Sequence, residues 1–370
     1  ISGSRRGGQA AATPESAVYP TPHQRIRRNW VVILCLVMLA LSLGAMLGAA
    51  VGILEGRREV LNSEPTVPPP PRTEEVIEWL RRQNISKSSL LATNSTPQNL
   101  AARWIADQDA LRIPLPINGG PDFSFVQRYV LTVFFYALNG PGWSSGRSFL
   151  SSRPTCNWNV RVDIDNDRSF QIGATCDSAG QVTSLHIPGN RLLGSVPTEM
   201  ALLEGLKFFA INNNGIVGTL PTELANLLEL DYLAFQYNAL TGVIPTWLGQ
   251  LEKLRVLGLG NNKFEGKIPD EFKRMTNLVT LGLDDNLLTG DLSNLLDLQK
   301  LKRIYVEDNM FQQTLDSDFM VTLNDLVELD LSDNSFSGSI PVHLFSLPNL
   351  QILDLHGNDL DGSIPQILPN

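Results

Sequence analysis

Three groupings in the chain combine residue types that could do chemistry, and each requires a particular element to hold it. Gly142 to Gly146, GWSSG, has the G-x-S-x-G spacing that presents a nucleophilic serine, here Ser144. That motif works on a sharp turn between a strand and a helix. Here a helical pattern ends just before it and a loop follows, so Ser144 reads as a loop residue. Asp163, Asp165 and Asp167 in DIDND have the spacing of the first ligands of a calcium loop. Arg168 stands where that loop needs Gly, and Ala174 where it needs a bidentate Glu, so a solvated insertion accounts for them better. His186 and His356 fall on strand patterns seven repeat periods apart, over about 30 Å at about 4.8 Å per strand, too far to share a metal. No phosphate-binding glycine loop and no kinase catalytic motif is present. The expectation is no catalytic residue, no metal and no cofactor.

What would position any functional side chain is a repeat. Asn190, Asn214, Asn238, Asn262, Asn286, Asn309, Asn334 and Asn358 stand at the same place in eight similar units, spaced 24, 24, 24, 24, 23, 25 and 24 residues. A fixed period in this range marks a solenoid, in which each unit buries its apolar face only against its neighbours. Within one unit, Leu257 and Leu259 alternate with Gly258, so the leucines face one side of a short strand and Gly258 the other. Leu248, Leu251 and Leu254 precede that strand and turn inward as well. Asn262 follows it, with an amide that both donates and accepts and so satisfies backbone groups freed by the bend. Gly266 and Ile268-Pro269 then give a tight turn and an extended stretch.

These residues resemble the plant-type leucine-rich repeat, written LxxLxLxxNxLxGxIP, over residues 181–370. The resemblance implies a leucine-rich repeat solenoid of the α/β class, a right-handed superhelix of about eight 24-residue coils. Two units depart from it: Ser293 replaces Pro in one, and Gln313 and Asp316 replace Gly and Pro in the next. Those are the units with the 23- and 25-residue spacings. Either the irregular pair shapes a binding site, or it is tolerated drift on the convex side.

Ahead of the repeats, Phe125, Tyr129, Val130, Val133, Phe134, Ala137 and Leu138 recur on a helical period, with Ser124 as N-cap and Asn139-Gly140 as stop. With Trp143 and the Cys156-Asn-Trp158 triplet, residues 98–180 are similar to the N-terminal cap of plant-type repeat proteins. The resemblance implies a Cys156–Cys176 disulfide, although residues 159–175 include an insertion relative to the family. Such a bond needs an oxidising compartment. Short helices are expected over residues 73–83 and 98–110.

Residues 30–54 are 25 residues without a charge, enough to span a bilayer. The arginines at 25, 27 and 28 favour a cytosolic N-terminus. Residues 1–29 read as a disordered tail, and residues 55–97 as a stalk with a Pro-rich spacer. Both glycosylation sequons, at Asn84 and Asn94, lie beyond the span. The expected arrangement is a single-pass type II membrane protein with its repeats extracellular or luminal. Gly44, Gly48 and Gly52 recur every four residues, which suits a transmembrane homo- or hetero-dimer as well as it suits ordinary membrane-helix composition. Five arginines against Glu15 give residues 1–29 a charge of +4, so of the chain's −9 the remainder carries −13. That excludes nucleic acid as a partner class.

The outward strand positions then form a concave surface of the kind repeat proteins use for binding. The candidate contact residues are Phe208, Tyr232, Gln236, Tyr237, Asp284, Arg303, Tyr305, Glu307 and Glu328. The expected function is receptor-like recognition of a peptide, protein or glycan, the acidic later half favouring a cationic partner. Alternatives are a structural or adhesion role at the cell surface or wall, inhibition of a polysaccharide-degrading enzyme, or the front of a receptor kinase. The chain starts without Met and stops at IPQILPN, where a further coil is expected.

Overall fold

The computed structural model describes residues 71–116, 123–146, 148–163, 169–317 and 319–365. The expected tail, the membrane span with Gly44, Gly48 and Gly52, the spacer up to Pro70, and Asp165 and Asp167 lie outside those residues. Among the described residues no helix is long and apolar enough to cross a membrane.

Each coil contributes one short strand to a parallel sheet: β3 (Val182–His186), β5 (Phe208–Ala210), β7 (Tyr232–Ala234), β9 (Val256–Gly258), β11 (Thr280–Gly282), β13 (Arg303–Tyr305), β15 (Glu328–Asp330) and β17 (Ile352–Asp354). The coils that carry these strands are numbered one to eight. Leu248, Leu251, Leu254, Leu257 and Leu259 are all fully buried, as their spacing predicts. The sheet gains two antiparallel strands at its N-terminal edge, β1 (Asn159–Asp163) and β2 (Ser169–Cys176), β2 pairing with β3. The insertion is therefore a hairpin that lengthens the sheet, and the Cys156–Cys176 disulfide ties its base.

The asparagines fix the stacking. Asn286 Oδ1 accepts the Phe264 N–H of the preceding coil at 2.9 Å, and its Nδ2 faces the carbonyls of Leu283, Asp284 and, across the coil boundary, Leu259 at 3.0–3.2 Å. Asn238, Asn262, Asn309 and Asn334 repeat the arrangement. Beyond each Asn runs a second strand: β4 (Leu193–Gly194), β6 (Gly215–Gly218), β8 (Ala239–Val243), β10 (Lys263–Gly266), β12 (Leu287–Gly290) and β14 (Met310–Phe311) form one sheet, while β16 (Ser337–Ser339) and β18 (Asp359–Asp361) pair separately. The break falls at the coil with Gln313. Where the other seven coils have a glycine with positive φ at this strand, Gln313 instead accepts the Leu292 N–H through its side chain at 3.0 Å.

Prolines explain the convex side. Pro197, Pro221, Pro245, Pro269 and Pro341 each precede a five-residue 3₁₀ helix, their fixed φ starting the turn. With Ser293 in place of Pro the helix shrinks to Ser293–Leu295, and with Asp316 none forms among the described residues.

The N-terminal end of the core is closed by helices: α1 (Pro71–Arg82), α2 (Ser88–Ala92), α3 (Pro97–Arg103) with a following π turn, Trp104–Gln108, and α4 (Phe123–Ala137). Phe125, Tyr129, Val130, Val133, Phe134 and Leu138 are fully buried. Ser124 is not the N-cap, because α4 already begins at Phe123. The stop is as expected: Asn139 takes the left-handed conformation, and a Cβ at Gly140 would meet the Phe135 ring at 2.4 Å. Residues 71–97, assigned above to the stalk, fold with this layer, because Val76, Leu80 and Leu91 bury completely in the same core.

Arg128 of α4 pairs with Asp109 at 2.6–2.7 Å, both buried, and donates to the carbonyls of Ser151 and Arg153 at 2.9 Å. Its guanidinium lies 4.5 Å from the Trp158 ring centroid and 5.2 Å from that of Trp104. Below it, buried Glu199 of coil one accepts from Ser86 at 2.6 Å and Gln98 at 3.1 Å. Asn84 and Asn94 are both exposed on this layer.

Asn286→Ala leaves the buried Phe264 N–H without a partner and takes one of two donors from the carbonyls of Leu259, Leu283 and Asp284, which keep Asn262, Asn309 and Asn261. We expect a loss of about 2–3 kcal/mol, read as a lower urea midpoint at unchanged m-value.

Candidate functional site

The strand register sorts the outward side chains of the concave sheet into rows. Ser184, Phe208, Tyr232, Val256, Thr280, Arg303, Glu328 and Ile352 are consecutive partners in one row. His186, Ala210, Ala234, Gly258, Gly282, Tyr305, Asp330 and Asp354 form the next. Past each strand two more positions continue the ladder, with Asn213 N–H on Gln236 O, Tyr237 N–H on Gly260 O, Asn261 N–H on Asp284 O and Asp285 N–H on Glu307 O. The nine candidate contact residues thus share one face of the sheet: Phe208, Tyr232, Arg303 and Glu328 in the first row, Tyr305 in the second, Gln236, Asp284 and Glu307 in the third, Tyr237 in the fourth; of these Tyr232, Gln236, Asp284 and Glu307 are buried.

The first half of that surface is aromatic and amide-rich. Phe208 and Tyr232 stack at 4.3 Å with ring planes 12° apart, His186 meets Phe208 edge-on at 5.4 Å, and Phe170 of the hairpin lies 5.5 Å from His186. Sequence reasoning missed Phe170, because its place in the row depends on the hairpin. Part of each ring's face is therefore spent on its neighbour.

Tyr237 is different. The position before each coil's Asn has positive φ throughout: Gly189, Asn213, Tyr237, Asn261, Asp285, Asp308, Asp333 and Gly357. Gly, Asn and Asp tolerate this left-handed conformation, whereas for other residues it costs roughly 1–2 kcal/mol. Tyr237 alone of the eight is a bulky residue held there, at φ 59°.

The second half is acidic. In coils one to four the four rows contain no Asp, Glu, Lys or Arg; in coils five to eight they contain Asp284, Asp285, Glu307, Asp308, Glu328, Asp330, Asp333 and Asp354 against Arg303. Arg303 Nε donates to Glu328 at 3.3 Å and the Tyr305 hydroxyl donates to the same carboxylate, while burial and that carboxylate push the Tyr305 hydroxyl up from its ordinary value. Asn261 Nδ2 donates to Asp284 at 2.7 Å. The margin beside the first row carries the opposite sign, with Lys207, Arg255 and Lys302, and Arg255 lies 3.8 Å from Asp231. At the far end His356 bridges coils, 2.7 Å from Asp354 and 3.1 Å from Asp333. The Asp354 hydrogen bond, with the charges of Asp354, Asp333 and Asp330, holds this imidazole above its usual value.

Away from this face, the irregular coils open a shallow polar cleft of about 550 Å³ on the convex side, lined by Gln299, Lys300, Val321, Thr322, Asn324 and Asp325. Among the described residues no cluster could hold a metal ion. Ser144 lies in the loop after α4, where its N–H donates to Asn190 O at 3.1 Å.

Residues 228–288 and 293–360 match the family model described as leucine rich repeat. No curated protein sequence matches the chain. Among solved structures, the chain is similar to the plant peptide hormone receptor RGFR1 in complex with RGF2, at 38% identity over 50% of this chain and 29% of that one, TM-score 0.48. It is similar to PEPR1 in the PEPR1–AtPEP1 structure at 30% identity, over 56% of this chain and 28% of that one, TM-score 0.50. It also shares the fold of the Arabidopsis receptor kinase HAESA ectodomain, solved with an N-terminal extended IDA peptide hormone ligand, at 24% identity over 66% and 43%, TM-score 0.51. The chain spans less than half the length of each.

His356 binds its proton more tightly in the folded chain, so its bridge is complete below about pH 6.5 and is lost as pH rises through the raised value. The amides of Leu331 and Asp333, which donate to Asp354 and His356 carbonyls, should lose hydrogen-exchange protection over that rise. In His356→Gln the same amides should show no such step.

Proposed function

We propose that the chain is a plant-type leucine-rich repeat protein, a membrane-tethered recognition module whose concave sheet binds an extracellular peptide or protein; the leucine rich repeat match over residues 228–288 and 293–360 and the similarity to PEPR1 support this reading. The observation that carries this reading is Tyr237. A protein retains a side chain in an unfavourable backbone region where the position of that side chain matters more than the cost, and such sites cluster at ligand contacts. Tyr237 lies one coil on from Phe208, beside Tyr232 and Gln236, so the strained residue and the aromatic stack converge on one patch. The similarity to PEPR1, solved with AtPEP1, supports a peptide or protein ligand. The uncharged stretch of residues 30–54, the sequons at exposed Asn84 and Asn94, and the Cys156–Cys176 disulfide support a tether with the repeats outside the cytosol.

Two measurements test this. The full chain is used to select binders from a random heptapeptide display library, and Tyr237→Asn is compared with wild type. Asn tolerates the left-handed region, so the variant should melt no lower than wild type, and higher by up to a few degrees. Its affinity for the selected peptides should fall about tenfold, as for an aromatic contact of about 1.4 kcal/mol. Unchanged affinity would move the site off this patch.

Orientation is read separately, by expressing the chain in a secretory-competent cell. A glycosidase-sensitive mass shift, abolished by Asn84→Gln with Asn94→Gln, is expected. Protease access to the repeats from the cytosolic side of sealed membranes would reverse the assignment.

A further inference from the structure

The cleft on the convex side lies between coils five and six, the two whose units depart from the repeat. Coils one to four and coil seven cover this side with a five-residue 3₁₀ helix. Coil five has only Ser293–Leu295, and coil six has no such helix among the described residues. The longer unit of coil six turns instead at Met320. That residue is fully buried at φ 57°, a left-handed conformation that side chains other than Asn and Asp rarely adopt. Val321, the next residue, is then 46% exposed at the edge of the cleft, and Thr322 follows it.

The walls are pinned across three coil boundaries. The Thr322 hydroxyl donates to the Leu296 carbonyl, Lys300 Nζ to Asn277 Oδ1 at 2.7 Å, and Asn349 Nδ2 to the Asn324 carbonyl at 2.9 Å. Between these pins the side chains of Gln299, Asn324 and Asp325 are exposed and have no hydrogen bond or ion pair among the described residues. Earlier coils use the same row on one another, with Lys253 Nζ 2.5 Å from Glu229 Oε1. Because Lys300 reaches back to Asn277, that row stops there and leaves Asp325 over. Fixed walls with three unbonded polar side chains describe a site whose ordering cost is already met.

The chemistry of this set narrows what it can hold. One lysine against one carboxylate leaves no net charge to attract an anion or a polycation. One exposed valine is too little apolar surface for a lipid or an aromatic ring, which need mostly apolar walls. The two amides both donate and accept, the carboxylate accepts on two oxygens, and the Thr322 oxygen can still accept. Their complement is a neutral group whose neighbouring hydroxyls each donate and accept, with a C–H face between them. A sugar ring is that group. The volume of about 550 Å³ falls in the range of small-ligand clefts, about 300–1,000 Å³.

We propose that this convex cleft is a site for a neutral saccharide, taking one or two sugar units. Asp325 accepts from a vicinal pair of hydroxyls, the Gln299 and Asn324 amides bracket the next, and Val321 lies against the C–H face of the ring. The site is independent of what the concave sheet binds.

Saturation-transfer NMR on the full chain in lipid nanodiscs tests it, with glucose, galactose, xylose and cellobiose as probes. At least one should receive saturation, with millimolar affinity, and galacturonic acid, a charged counterpart, should bind more weakly. Asp325→Ala with Gln299→Ala should weaken the sugar bound best about tenfold or more. The melting temperature should not move, since neither side chain has a partner to lose. Tyr237→Asn should leave the sugar signal unchanged. The disaccharide and hexasaccharide of that sugar separate two sources: binding of both supports a polysaccharide end, and binding of the disaccharide alone supports a free sugar. Saturation of none of the neutral sugars overturns the proposal, as does preference for galacturonic acid. Binding that survives the double variant overturns the cleft, and if Tyr237→Asn weakens it, the sugar belongs to the concave face.

Discussion

The structure depends on a buried or half-buried side-chain amide at the bend of every coil. A leucine core alone would hold the coils together without fixing their pitch, because apolar contact is non-directional. Each Asn adds direction: its Oδ1 takes an N–H of the preceding coil, and its Nδ2 takes carbonyls from its own coil and from that preceding one. Adjacent coils are thereby locked in register, and outward residues seven coils apart still fall in rows. Rows are also what bring Phe208 and Tyr232 of neighbouring coils into stacking distance.

The open end of such a core must be covered by something that is not a coil. Here the cover is held by polar contacts as much as by apolar ones. Arg128 spends its guanidinium on Asp109 and the carbonyls of Ser151 and Arg153, between two tryptophan rings, so one buried cation joins the π turn, the loop after α4 and the start of the hairpin. A buried ion pair contributes little net stability compared with an apolar replacement. Its consequence here is placement: the hairpin is set against β3, and the concave sheet continues through Phe170 to the aromatic stack. Ser86, Gln98 and Glu199 do the same between α1, α3 and the first coil, which is why residues before 98 belong to the folded layer.

The coil, its inward leucines and the rows could be read from the sequence, because a fixed period repeats the same physical environment eight times. The disulfide came from resemblance. The hairpin could not be read, since residues 159–175 pair with β3 through backbone bonds that leave no periodic trace. Nor could the burial of Val76, Leu80 and Leu91, which depends on a tertiary neighbour supplied by α4. The significance of Tyr237 was within reach: seven of the eight residues preceding the repeat asparagine are Gly, Asn or Asp, a composition that already implies positive φ.

The same distinction decides how much of the acidic half needs explaining. Asp285, Asp308 and Asp333 occupy the left-handed position, where Asp is one of the few residues the backbone accepts, so their charge is partly a by-product of conformation. Asp330 and Asp354 act locally: the first accepts from the Ser332 N–H and hydroxyl, the second from His356. Asp284, Glu307 and Glu328 stand at rows where other coils carry Gln, Gly, Ser, Tyr or Val, with no backbone constraint calling for a carboxylate. Glu328 is shared with Arg303 and Tyr305, and Asp284 with Asn261. Those three carboxylates are the part of the charge that the left-handed backbone positions do not account for.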